Sequence, residues 1–117
     1  MISRERLARE YINIIDNYYP KSSSLLRHCL VKILDFKTDR TNKYLYYLCI
    51  YYPNRVGDRL FEQQDIFKDA AENMGLVEVV FINANRLLRD PRSTLRQQDF
   101  RFWLELHWLA HYEDRLF

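Results

Sequence analysis

Residues 43–52 read KYLYYLCIYY. One lysine is followed by nine consecutive apolar or aromatic residues, five of them tyrosine. No Gly, Pro, Asp or Asn interrupts the run, and aromatic and β-branched side chains suit a pleated surface. Its ten residues make a strand's length, well short of the roughly 18 apolar residues of a membrane span. Alternation places Tyr44, Tyr46, Leu48, Ile50 and Tyr52 on one face and Leu45, Tyr47, Cys49 and Tyr51 on the other. Neither face is polar, so both are expected to be covered at least in part, with the run at the centre of a sheet. Pro53 and Asn54 then stop the pairing, because proline has no N–H to donate and a turn is favoured next.

Each tyrosine has a large apolar body and one hydroxyl that needs a partner when buried. Five in one strand allow two arrangements. One is a core strand whose hydroxyls are wet at its rim, the commoner use of such a run. The other is an exposed aromatic platform for a partner, of the kind on which single-stranded nucleic acid stacks.

Working outward, residues 25–36 (LLRHCLVKILDF) also alternate, with Cys29, Val31 and Ile33 opposite His28, Leu30, Leu34 and Phe36. The polar segment 37–42 is short enough to join the two runs as an antiparallel hairpin. Beyond the central run, Asp58 is a candidate N-cap for a helix carrying Leu60, Phe61, Phe67, Ala70, Ala71 and Met74 inward. Gly75 stands where a left-handed cap needs no Cβ, and Leu76 can make the accompanying apolar contact. Residues 76–83 (LVEVVFIN) read as the third strand. At the N-terminal end, Ser3 caps a helix to about residue 18, with Leu7, Ala8, Tyr11, Ile12, Ile14, Ile15 and Tyr18 at helical spacing. Pro20 and the run 21–24 are expected to end it.

The last part of the chain holds a connector, 85–94 (NRLLRDPRST), and a helix over 95–112. Thr94 with Gln97 reads as a capping box. Leu95, Phe102, Leu106 and Leu109 form one stripe. Phe100, Trp103, Leu104, Trp108 and Tyr112 broaden it almost around the helix, so the domain, a second copy or a partner must cover it.

The expected fold is therefore one α+β domain over residues 1–117, in the order α-β-β-α-β-α. It has a small mixed sheet with a β-hairpin, and helices packed mainly on one face. The helical crossover allows the second and third strands to pair in parallel. A chain of 117 residues with 48% apolar and 29% charged residues can bury one core and is globular in composition. Cys29 and Cys49 are expected as unpaired, unreactive thiols on strands of a cytoplasmic protein. The start MISRERLARE is charged where a secretory signal would be apolar, so none is expected.

Two glycines cannot build the usual phosphate loops or a nucleophile elbow, and no cofactor is expected. His107 and His111 share a helix face, but HWLAH lacks the glutamate of a zinc-protease pair, and no metal is expected. Asp35 with Lys37 lacks the second-strand carboxylate that a nuclease site needs. Neither cysteine has a base beside it in sequence. The net charge of +2 permits nucleic acid without arguing for it. Arg86, Arg89, Arg92 and Arg96 form the densest cationic cluster and could hold phosphate beside a helix start; basic loops are more often simply solvated.

An aromatic content of 15% exceeds what one small core readily hides, and aromatics and arginine are enriched at interfaces. The function expected from the sequence is a non-enzymatic, self-associating interaction module of the adaptor, chaperone or regulator kind, with no membrane partner. Tyr44, Tyr46, Tyr51, Tyr52, Trp103, Trp108 and Tyr112 are its expected contact residues. The alternative is a nucleic-acid binder using those tyrosines and Arg86, Arg89, Arg92 and Arg96.

Overall fold

Residues 3–41 and 43–112 are described by the structure, a computed structural model. Helix α1 (Arg4–Tyr18) opens where Ser3 Oγ accepts from the Arg6 N–H. Ala8, Tyr11 and Ile15 are buried along its inner side, whereas Tyr18 is 74% exposed. Pro20 follows the end of α1, as expected. It opens a second helix, α2 (Pro20–Leu26), because its missing N–H and fixed φ cost nothing at the first helical position. Two serines of the run expected to end the first helix are anchored within this second one: Ser22 donates to Gln63 and Ser23 to Asp16, both from buried positions. Leu25 and Leu26 are consequently core residues of a helix, and Cys29 lies just before the strand rather than on it.

The sheet has three strands in the order β1-β2-β3. β1 (Leu30–Lys37) pairs antiparallel with β2 (Tyr44–Tyr52), and β2 pairs parallel with β3 (Val79–Asn83). The run 43–52 thus supplies the central strand of a mixed sheet in an α+β domain. Its alternation decides the layers. Leu48, Ile50 and Tyr52 point into the larger core, with Tyr11, Ile15, Phe67, Ala70 and Val79. Cys49 and Tyr51 point into a smaller second core, with Ala84, Phe102, Leu106 and Leu109. Helices are therefore packed mainly on one face, and fewer of them cover the other. Phe67 is fully buried in the larger core, and truncating such a side chain to alanine costs about 3–5 kcal/mol. The Tyr11 hydroxyl donates to the Phe67 carbonyl at 2.9 Å, and burial pushes its phenol well above the usual range.

After β2 the chain makes one 3-10 turn (Asn54–Val56), then α3 (Gly57–Glu62) and α4 (Gln64–Asn73). Asp58 lies inside the first turn of α3 and caps nothing, because the 3-10 turn runs straight into the helix. Arg55 Nη2 donates to His28 Nδ1 at 3.2 Å, tying the start of β1 to the end of β2. At the end of α4 the Leu76 N–H donates to the Ala71 carbonyl (3.0 Å) and the Gly75 N–H to Glu72 (2.9 Å), with Gly75 at φ +78°. That is the glycine-closed helix end expected from the sequence. The strand itself starts later than expected, at Val79, although the Val77 N–H already donates to the Tyr46 carbonyl.

The first half of the connector 85–94 is helical. Asn83 Oδ1 accepts from the Arg86 N–H and starts α5 (Ala84–Arg89). The expected single helix over 95–112 is broken into α6 (Leu95–Gln98), α7 (Phe100–His107) and a wider π-helical turn, Trp108–Tyr112. Thr94 makes no side-chain cap; Ser93 Oγ accepts from the Leu95 N–H instead. Asp99 leaves the helical conformation (φ −147°, ψ 80°) and caps α7 by accepting from the Phe102 N–H at 3.1 Å. No helix among the described residues is long and apolar enough to cross a membrane.

Candidate interaction surface

The cap at Asp99 fixes which residues of α7 face the sheet. Phe102 and Leu106 of α7, and Leu109 and Ala110 of the π-helical turn that continues it, are buried there. Phe102 stands edge-on to Tyr51 (centroids 4.8 Å apart), and Lys32 Nζ lies 3.8 Å from its ring centre. A second apolar stripe occupies the outer side. Phe100, Leu104 and Trp108, spaced four apart, are 52%, 49% and 57% exposed. Beside them runs a ladder of rings. Phe100 stacks on Trp103 (5.6 Å), Trp103 meets His107 edge-on (4.1 Å), and His107 lies 5.2 Å from His111. The Arg96 guanidinium sits 5.0 Å from the Trp103 ring centre.

The stripe carries little charge. Burial, then His111 and Arg96, hold the His107 imidazole below its ordinary range, so it is neutral at pH 7. Arg101 and Glu105 pair with each other at 3.7 Å on the flank. The split between the two stripes follows the sequence pattern: Phe102, Leu106 and Leu109 turn inward, and Phe100, Leu104 and Trp108 turn outward. Phe100 and Leu104 were not among the expected contact residues. Their spacing of four with Trp108 is the signal that identifies them.

The expected tyrosine platform is only partly on the surface. Tyr51 and Tyr52 are buried in the protein's own two cores, Tyr52 edge-on to Phe61 at 5.6 Å, and have no surface to offer. Both faces of β2 are covered at its C-terminal end, which is why the rings turn inward there. Burial, reinforced by the neighbouring Cys49, pushes the Tyr51 phenol up to about 12. Tyr46 is half-buried, and Tyr44, at the uncovered start of the strand, is 44% exposed. The Tyr112 side chain lies outside the described residues.

Arg86 and Arg89 lie on α5, Arg92 in the turn that follows and Arg96 on α6, all exposed. Arg89 is turned back on its own helix, where Nε donates to the Asn85 carbonyl at 3.3 Å. Among the described residues no cluster of three His, Cys, Asp or Glu could hold a metal ion. Asp35 faces Arg4 at 3.6 Å. Cys29 and Cys49 are both buried, neither forms a disulfide, and burial pushes the Cys49 thiol up. No protein-family model, curated protein or solved structure matches the chain.

Proposed function

We propose that the protein is a non-enzymatic interaction module that associates with a second copy of itself through the outer side of α7. The observation that carries this reading is the double apolar stripe: one helix presents a buried row to the sheet and an exposed row, Phe100–Leu104–Trp108 by position, to solvent. A nearly uncharged stripe is self-complementary, since two copies can cross about a two-fold axis without opposing like charges. Half-exposed side chains of this size offer roughly 300 Å² per copy. That is the apolar centre of an interface whose usual size is about 800 Å² per partner, with the remainder supplied by a polar rim. A dissociation constant on the order of micromolar is expected.

Sedimentation velocity tests this. The parent should shift from monomer to dimer between about 1 and 50 μM. Leu104→Glu, which adds a charge to the exposed row without touching either core, should stay monomeric and melt as the parent does. A parent that is monomeric throughout, or a variant that still dimerises, contradicts the proposal.

The alternative, binding of single-stranded nucleic acid, is supported by the contact of Arg96 with Trp103, which joins the cationic segment to the aromatic face. A mobility shift with oligonucleotides that weakens steeply with salt would favour it.

A further inference from the structure

The sheet face that bears Cys49 and Tyr51 is covered at one end only. Ala84 of α5 and Phe102 and Leu106 of α7 pack over the C-terminal part of β2. Toward the hairpin the same face continues: Leu34 opposes Tyr47, Phe36 opposes Leu45, and Val80 lies beside Cys49. Leu34, Phe36, Leu45, Tyr47 and Val80 belong to neither core. Leu34, Phe36 and Val80 are 37%, 55% and 39% exposed, and Phe36 stands edge-on to Tyr47 with ring centres 5.4 Å apart. These side chains form an apolar patch open to solvent. It adjoins α7, since Leu34 and Phe102 line one groove. Alternation places two charged residues on this face, Lys32 and Glu78, of opposite sign. The Lys32 ammonium lies on the Phe102 ring.

Size and charge select the occupant. From Cys49 back to Leu45 the strand measures roughly 13 Å, which is the width of one helix with its side chains, about 10–12 Å. The occupant is therefore a helix with a neutral, apolar side, and this chain carries one. Phe100 and Leu104 are each two residues from a buried position, Phe102 and Leu106, and two residues turn a helix by about 200°. The exposed row thus points directly away from the buried row. Such a helix can lie between two sheets, its inner row on one and its outer row on the other. Each chain supplies both an outer row and an open patch, so a single two-fold axis engages both of them twice.

Area favours this arrangement over two outer rows crossing each other. The rows alone offer roughly 300 Å² of apolar surface per copy, and the patch adds roughly 250 Å². A stable interface uses about 800 Å² per partner, so the patch brings the apolar part to well over half of it. We infer that the open patch on the sheet receives the outer row of α7 from a second copy, and reciprocally, so that two α7 helices lie side by side between two sheets. This rests on the self-association proposed above and names the surface that α7 meets.

The test follows backbone amide chemical shifts of the parent on dilution, beside sedimentation of two patch variants. The amides of Leu34, Phe36, Leu45, Tyr47 and Val80 should shift with concentration together with those of residues 100–108. Phe36→Glu should raise the dimer dissociation constant at least about tenfold while melting as the parent does. Val80→Glu, on a different strand, should do the same, so the test stands if one variant fails to fold. A parent that dimerises with shifts confined to residues 100–108, or patch variants that fold and dimerise as the parent does, would overturn this inference and leave self-association through α7 in place. A parent that stays monomeric would overturn both.

Discussion

Replacing Gly75 with alanine isolates one backbone requirement of the fold. Gly75 sits at φ +78° with nothing within 4 Å of where a Cβ would stand. Packing therefore contributes no clash, and the whole cost is the left-handed conformation, about 1–2 kcal/mol for an L side chain. Alanine also restricts the unfolded chain, which returns about 0.4–1 kcal/mol. The net loss is about 1 kcal/mol. Domains of about 60–100 residues lose ~4–8 °C per kcal/mol and those of about 150–250 lose ~2–4 °C; at 117 residues this chain falls between, so its melting temperature should drop by about 4 °C. Circular dichroism during a thermal scan measures this. Gly75→Asn should lose less, since asparagine tolerates the left-handed region better. Sedimentation should not change, because Gly75 ends α4 on the opposite side of the sheet from α7. If the alanine variant melts with the parent, the two hydrogen bonds that close α4 through Gly75 and Leu76 do not define that helix end. The β3 register built on them would then fall as well.

Two further outcomes concern buried groups, Cys29 in the larger core and Cys49 and Tyr51 in the second. Cys29 and Cys49 are buried, and burial disfavours thiolate, so a thiol reagent at neutral pH should label both slowly without denaturant and promptly with it. Tyr51 keeps its proton in the fold up to about 12, against an ordinary value of 10.0. Its contribution to stability is intact below about pH 10 and is lost as the pH rises toward about 12, by up to about 1.4 kcal/mol per pH unit. Urea melts between pH 8 and 12 (a range set by the ordinary tyrosine value of about 10) should show that fall, and Tyr51→Phe should reduce its slope.

The parts of the fold legible in the sequence were those set by local rules. The run 43–52 has two apolar faces, and the structure uses both, one for each core. Gly75 marks a helix end because no other residue type adopts its φ as freely. What escaped was set by distant partners or by competing local signals. Ser22 and Ser23 read as part of a run that ends a helix, and only Gln63 and Asp16 make them suitable for a buried second one. Pro20 can end one helix or open another, and nothing beside it in sequence decides which. Thr94 offered a cap and a helix does start at Leu95, but Asp99 breaks it and caps a second helix five residues later. For the surface, the division of residues 100–109 into two stripes was legible, whereas the inward turn of Tyr51 and Tyr52 depended on helices that cover only one end of β2.

Of the two tryptophans of the chain, Trp103 lies on α7 and Trp108 opens the π-helical turn that continues it, which makes their fluorescence a direct reading of whether the outer side of that helix is the surface that associates. Acrylamide quenching should be followed across the concentration range in which sedimentation detects a dimer. Trp108 is 57% exposed in the single chain, so the account predicts that its quenching falls and its emission shifts to the blue as the dimer forms, and that Leu104→Glu abolishes both changes. A dimer that forms while tryptophan quenching and emission stay constant would contradict it.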